Sequence, residues 1–127
     1  MPIETKIDFE EKLVHATCKG EVSASELYDY QNAVWMNNVT YGYNCIFDMS
    51  GADLSQLNFS DLIPFATNAV NIDNGLSEAK LAVVIFEEFQ EMLTKFYHAL
   101  MELTSGENQR NLKIFYSGKE AINWVSN

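Results

Sequence analysis

Basic side chains are scarce in this chain of 127 residues, and a long central segment has none. The whole sequence has 8 Lys and Arg against 18 Asp and Glu, a formal net charge of −10. The charged residues within 20–79 are all acids, namely Glu21, Glu26, Asp29, Asp48, Asp53, Asp61, Asp73 and Glu78. Because these carboxylates repel phosphate backbones and anionic lipid headgroups, nucleic acid and membrane surfaces are disfavoured as partners. The acidic excess either serves solubility or forms a face for a basic protein partner.

Cysteine motifs, glycine-rich loops and long apolar runs are also absent. Cys18 and Cys45 match neither a CxxC pair nor a zinc-ligand spacing, and we expect both thiols to be buried. The six glycines are scattered, so a glycine-rich phosphate loop is not expected. The longest apolar run, residues 81–86, is far shorter than the ~20 residues that cross a bilayer. The first residues lack the basic and apolar regions of a secretory signal, so we expect a cytoplasmic protein without a transmembrane segment.

The chain length and an apolar content of 47% suit one globular domain over residues 1–127. Residues 3–9 and 13–19 alternate apolar and polar side chains, which predicts an antiparallel hairpin. Ser23 and Glu26 have the spacing of a capping box. Apolar segments indicate further strands over residues 44–48, 81–86 and 111–116. Helical periodicity indicates helices that begin near Ser23, Ser60, Glu88 and Ser117.

The element order β-β-α-β-α-β-α-β-α predicts an α/β fold. After the hairpin, strands and helices alternate strictly, which favours right-handed crossovers and parallel pairing. The tight turn makes the first strand antiparallel, at or near an edge of the sheet. We therefore expect a mixed sheet of about five strands accompanied by about four helices.

The residues near the carboxyl ends of the predicted strands are the first candidates for a functional site, because ligands of such sheets gather there. The third strand is predicted to end at Asp48, and an irregular loop follows over residues 49–59. Ser60 is predicted to cap the next helix, with Asp61 near its positive end. The candidate regulatory or partner-binding residues are Asp48, Ser50, Asp53, Ser60 and Asp61.

No catalytic motif stands out in the sequence. His15 and His98 do not pair with a serine or cysteine in a recognisable nucleophile motif. Asp48 lacks the second acid of an Asp-x-Asp phosphotransfer motif, and the ligand spacing of a calcium loop is missing. We therefore expect no catalytic residue, no metal centre and no cofactor. An enzymatic alternative would use Asp48, His15 or Glu88.

The predicted helix over residues 88–104 is apolar around much of its circumference. Its aromatic and methionine side chains either pack against the sheet, cover an apolar cavity for a small lipid-like ligand, or form the surface of a homodimer. The candidate pocket residues are Phe89, Leu93, Phe96, Tyr97 and Leu100.

Three segments carry a resemblance to a known family. Residues 111–125, NLKIFYSGKEAINWV, resemble the last strand and helix of the SpoIIAA-like proteins, which are bacterial relatives of the STAS domain. Residues 17–21 and the strand IFDMSG over residues 46–51 agree with the same family. The resemblance implies a mixed sheet with helices mainly on one face. It also implies a non-enzymatic role in protein interaction or ligand sensing.

The resemblance also concerns Ser60. Phosphorylated STAS regulators have a serine at the start of the helix after the third strand, in an Asp-Ser-Ser-Gly-like setting. Ser60 is in that position, but its neighbours Phe59 and Asp61 depart from the pattern. The sequence therefore favours a helix-capping role for Ser60. It predicts a non-catalytic module that binds a protein through an acidic surface of the first helix, the loop over residues 48–60 and the second helix.

Overall fold

The computed structural model describes residues 3–76, 78–105 and 109–127 of the chain. Within these ranges it shows one five-stranded sheet in the order β1-β2-β3-β4-β5. Strand β1 runs antiparallel to β2, and β2 to β5 are parallel to one another. The strands are β1 (Ile3–Asp8), β2 (Leu13–Glu21), β3 (Asn44–Asp53), β4 (Lys80–Val84) and β5 (Asn111–Phe115). The predicted mixed sheet with an antiparallel first strand is confirmed.

Four α-helices connect or follow the strands in the described part of the chain. They are α1 (Ala24–Tyr30), α2 (Leu62–Asp73), α3 (Glu88–Ser105) and α4 (Gly118–Val125). A π-helical turn (Gln31–Trp35) continues α1, and a 3-10 turn (Phe59–Asp61) precedes α2. None of these helices is both long and apolar enough to span a membrane.

The helices divide unequally between the two faces of the sheet. On one face, alternate side chains of β2 such as Val14, Ala16 and Cys18 are buried in a large core with α1, α2 and α3. On the other face, a smaller core includes Ile46 of β3 and Ala121 of α4. The predicted placement of the helices mainly on one face is therefore confirmed. The alternation within β2 follows from the opposite orientation of successive side chains along a strand.

Strand β3 is longer than the sequence predicted. It continues through Asp53, so Asp48 lies within the strand and the irregular loop begins only after Asp53. The prediction that the strand ends at Asp48 is wrong because β2 also extends, to Glu21, and pairs with the additional residues of β3. A parallel neighbour supplies backbone hydrogen bonds to a segment whose Ser, Gly and Asp composition is typical of a loop.

Strands β4 and β5 end earlier than predicted. Their last paired residues are Val84 and Phe115, so Phe86 and Tyr116 lie beyond the sheet. The side chain of Phe86 is 76% exposed and that of Tyr116 is 66% exposed. Tyr116 therefore does not continue the inward-facing alternation of β5, and both aromatic rings are available at the surface.

The prediction for the longest helix is confirmed at its start and agrees at its end to within one residue. Leu103 belongs to the predicted apolar stripe but is 86% exposed, whereas Met101 near it is buried.

The helix starts show one confirmed and one incorrect prediction. Ser23 and Glu26 form the predicted capping box at the start of α1. Ser60, in contrast, is not the helix cap, because Asn58 accepts a hydrogen bond from the backbone N–H of Asp61 and caps the 3-10 turn. The hydroxyl of Ser60 donates to the same Asn58 oxygen. An asparagine side chain is as effective an N-cap as a serine.

Candidate interaction surface and interior cavity

Asp48 and Ser50 form a local pair on β3. Oδ1 of Asp48 accepts hydrogen bonds from the backbone N–H of Ser50 at 3.0 Å and from its hydroxyl at 2.6 Å. In this arrangement the side chain of Asp48 stabilises the conformation of the backbone that follows it. Among the described residues, no three His, Cys, Asp or Glu side chains converge as a metal site would require.

Asp53 and Asp61 also make local backbone contacts. Oδ1 of Asp53 accepts from the backbone N–H of Ser55 at 2.9 Å. Hydrogen bonds from the hydroxyl and backbone of Ser55 lower the pKa of Asp53, which therefore stays ionised. Asp61 accepts from the backbone N–H of Asn58 at 3.0 Å in a capping box. The candidate acids thus lie on three separate local motifs and do not converge on one reacting centre.

The carboxyl ends of the strands nevertheless form one continuous surface. Glu21 and Asp53 are register partners at the ends of β2 and β3. The buried side chain of Gln90 joins this end of β3 to the start of α3, since its amide donates to the carbonyl of Ala52 at 3.1 Å. Its Oε1 accepts from the backbone N–H of Phe86 at 2.7 Å. We call this the carboxyl-edge surface and define it as Glu21, Asp53, Phe86, Glu87, Glu88 and Tyr116.

The carboxyl-edge surface combines carboxylates with aromatic rings. Glu21 and Glu88 are exposed, and within the described ranges neither side chain makes a hydrogen bond or ion pair. Tyr116 donates its hydroxyl to Oε2 of Glu91 at 3.0 Å, and this bond raises the pKa of the tyrosine. Exposed aromatic residues with a polar rim are typical of protein interfaces. Of the candidate binding residues named from the sequence, only Asp53 belongs to this surface. The sequence prediction missed Phe86 and Tyr116 because it assigned them to strands.

An apolar cavity of about 70 Å³ lies between the sheet and helices α1, α2 and α3. Leu93 and Tyr97, two of the predicted pocket residues, line it. Phe89 and Phe96 lie outside it, and the ring of Phe59 packs against both, with its centroid 5.0 Å from that of Phe96. Leu100 is half-buried against the surrounding core. The cavity is much smaller than the roughly 300 Å³ at which small-molecule pockets begin.

We expect the variant Val83→Ile to stabilise the protein by about 0.5–1 kcal/mol, because the added methylene enters this cavity. Val83 is buried on β4 and lines the cavity, and isoleucine keeps the β-branched side chain that a strand favours. Urea unfolding of both proteins measures the difference.

A matched control for this variant is Ala82→Val on the opposite face of β4. Ala82 is fully buried in the core beside α4 and does not line the cavity. Overpacking at that position is expected to cost about 1–3 kcal/mol. If Val83→Ile were as destabilising as Ala82→Val, the cavity would not be a real void.

A buried ion pair lies next to the cavity and was not predicted from the sequence. Nε of Arg110 is 3.4 Å from Oδ1 of Asp73, and both side chains are almost fully buried, at 1% and 2% exposure. The guanidinium carbon lies 4.9 Å from the centre of the Trp35 ring, and Nη1 is 3.8 Å from the sulfur of Cys45. Burial raises the pKa of Asp73, and the charge and backbone N–H of Arg110 act against this shift. The pair fixes the end of α2 against the start of β5.

Both cysteines are free and buried, as the sequence predicted. Burial raises the pKa of the Cys18 thiol to about 12, and nearby Asp48 contributes to this shift. Burial also raises the pKa of Cys45, although Arg110 opposes the shift. Both side chains therefore remain neutral thiols at physiological pH.

No family model and no curated protein matches this chain. Among solved structures, the chain is similar to an uncharacterised protein of the DUF3478 family from Shewanella loihica PV-4, described as having a SpoIIAA-like fold. The two share 13% sequence identity with a TM-score of 0.55, and the match covers 97% of this chain and 91% of the other. At this identity the similarity establishes the fold, which is SpoIIAA-like.

Proposed function

We propose that this chain, which has a SpoIIAA-like fold, is a non-catalytic regulatory module that binds a protein partner through the carboxyl-edge surface. The observation that supports the proposal most is the presence of unpaired carboxylates and two exposed aromatic rings on one surface. Glu21 and Glu88 are exposed and make no ion pair within the described residues, so they can pair with basic side chains of a partner, while Phe86 and Tyr116 offer apolar area. Desolvated aromatic anchors contribute much of the affinity in protein complexes, and rim charges mainly accelerate association.

The proposed partner has basic and apolar groups on its binding surface. A second copy of this chain fits less well, since two acidic carboxyl-edge surfaces would repel each other in a symmetric contact. A homodimer through another surface stays a prediction from the sequence. The alternative function, binding of a lipid-like ligand, would require α3 to move away from the sheet, because the cavity of about 70 Å³ admits only a few atoms.

Charge reversal tests the electrostatic part of this proposal. The double variant Glu21→Lys/Glu88→Lys is expected to lose most of the binding partner in quantitative affinity capture, because two attractive contacts become repulsive. Capture by the unmodified chain is also expected to fall as the ionic strength approaches ~1 M, where the Debye length is only ~3 Å. The amount of each captured protein, measured by mass spectrometry, gives the result.

The matched control is Glu10→Lys/Glu11→Lys, which changes the net charge equally. Both residues are exposed in the turn between β1 and β2, at the opposite edge of the sheet. This variant is expected to retain the partner. Equal losses in the two variants would show that net charge alone matters and would contradict binding at the carboxyl-edge surface.

A further inference from the structure

A second depression lies at the amino edge of the sheet, far from the carboxyl-edge surface. It has a volume of about 460 Å³ and lies between the π-helical turn and the last turns of α2. Four asparagines line it, namely Asn32, Asn38, Asn68 and Asn71. We call it the asparagine groove. None of its lining residues carries a charge, which is unusual in a chain with a net charge of −10.

The amide groups of the asparagine groove are available to a ligand. Asn32, Asn38 and Asn71 are exposed and have no hydrogen-bond partner within the described residues. Asn68 donates its Nδ2 to Oε1 of Gln31 at 3.3 Å, which leaves its own Oδ1 free as an acceptor. The groove therefore offers both donors and acceptors, and each amide can supply either.

The local structure holds this groove in place. Gln31 is completely buried, and its Nε2 donates to the carbonyl of Phe65 at 2.9 Å, which fixes the π-helical turn to α2. Thr40 donates its hydroxyl to the carbonyl of Val34 at 2.6 Å, which ties the following loop to the same turn. π-Helical turns are rare and occur frequently at functional sites.

The remaining lining of the asparagine groove is apolar and partly aromatic. Tyr41 is 49% exposed, and Met36 is also exposed. The ring of Trp35 is almost completely buried and contacts the guanidinium of Arg110 and the ring of Phe65. One ring, that of Tyr41, is thus available for stacking in the groove.

These features define the chemistry of the ligand. A charged ligand would find no counter-charge in the lining, whereas a neutral one would satisfy the amides without a charged partner. Single-stranded nucleic acid is bound by aromatic stacking together with positive charge along its backbone, and the lining of this groove has no positive charge. A sugar ring needs a single aromatic face for its C–H groups and several amide partners for its hydroxyls.

We propose that the asparagine groove binds a neutral saccharide. Tyr41 stacks against one face of the sugar ring, and the side chains of Asn38, Asn68 and Asn71 exchange hydrogen bonds with the hydroxyl groups. The depression is open to solvent, and its volume of about 460 Å³ leaves room for a sugar ring. This site is independent of the proposed protein interaction, so either can fail while the other holds.

Saturation-transfer NMR with the full chain tests the proposal. The probes are glucose, N-acetylglucosamine and maltose, with glucose 6-phosphate and adenosine as charged and planar comparisons. Saturable transfer to at least one neutral sugar at millimolar concentration is expected, together with a change in Trp35 fluorescence. The variant Trp124→Phe leaves Trp35 as the only tryptophan, because the chain has two.

Single substitutions distinguish the groove from other surfaces. Asn38→Ala and Asn71→Ala are each expected to weaken sugar binding about fivefold, the effect of one typical hydrogen bond. Both residues are exposed and unpaired in the described structure, so folding should not change. Asn123→Ala on α4 is the matched control, with unchanged affinity. Absence of transfer to every neutral sugar, binding of adenosine alone, or equal affinity in all three variants would overturn the proposal.

Discussion

Replacing Arg110 with methionine is expected to lower the free energy of unfolding by about 3–5 kcal/mol at neutral pH. Methionine fills much of the same volume, but it leaves the carboxylate of Asp73 buried without a counter-charge. Only 2% of the Asp73 side chain is exposed, so water cannot compensate for the loss. Urea unfolding followed by circular dichroism measures the change.

The loss of unfolding free energy caused by Arg110→Met should be smaller at low pH than at neutral pH. Burial already raises the pKa of Asp73 above its ordinary value of 3.8, and the loss of Arg110 raises this pKa further. When the pKa of a carboxyl group is higher in the folded state than in the unfolded state, protonation of the group favours folding. This contribution to the free energy of unfolding is complete at pH values below the unfolded-state pKa and is lost as the pH rises through the folded-state pKa. The difference between variant and parent should therefore shrink as the pH falls towards 3.8.

The double variant Asp73→Asn/Arg110→Met is the control for this experiment. It removes the carboxylate that the single variant leaves unpaired, so it should recover a substantial part of the lost stability and abolish the pH dependence of the difference. If Arg110→Met lowered the free energy of unfolding by less than ~1 kcal/mol, or by the same amount at all pH values, the buried ion pair would contribute little to stability.

The second large effect concerns binding at the carboxyl-edge surface. Phe86→Ala and Tyr116→Ala are each expected to weaken partner binding by about 2 kcal/mol, or roughly 30-fold, as truncation of aromatic anchors does. Both side chains are mainly exposed, so the melting temperature should change little. Titration calorimetry with the captured partner gives the affinities.

Leu103→Ala is the matched control for these two variants. Leu103 is the most exposed large apolar side chain recorded in the described structure, and it lies at the opposite end of α3 from the carboxyl-edge surface. Its truncation should leave the affinity unchanged. If Leu103→Ala weakened binding as much as Phe86→Ala does, exposed apolar area in general would account for the interaction.

The sequence predicts the elements that local patterns determine. The alternation of apolar residues in β2, the capping box at Ser23 and the periodicity of α3 are all properties of short segments, and the structure confirms them. The length of β3 could not be predicted in this way, because residues 49–53 become a strand only through pairing with β2. Such pairing depends on residues distant in sequence.

The sequence could not identify the buried ion pair for a similar reason. Asp73 precedes Asn74 and Gly75 and looks like a helix-ending residue, and Arg110 lies in a polar segment. Nothing local indicates that they meet in the interior. The candidate site was only partly predictable. Glu21 and Asp53 belong to the segment without bases, whereas Glu87 and Glu88 lie outside it. The exposure of Phe86 and Tyr116 follows from where the strands end.

Amide NMR of the isotope-labelled chain, with and without the captured partner, tests the central claim most directly. The account predicts chemical-shift changes concentrated at the carboxyl-edge surface, from Glu21 and Asp53 to Phe86 and Tyr116, with little change in β1 or α4. Changes confined to β1, or to α4, would contradict it. The same would hold if the signals moved equally throughout the chain.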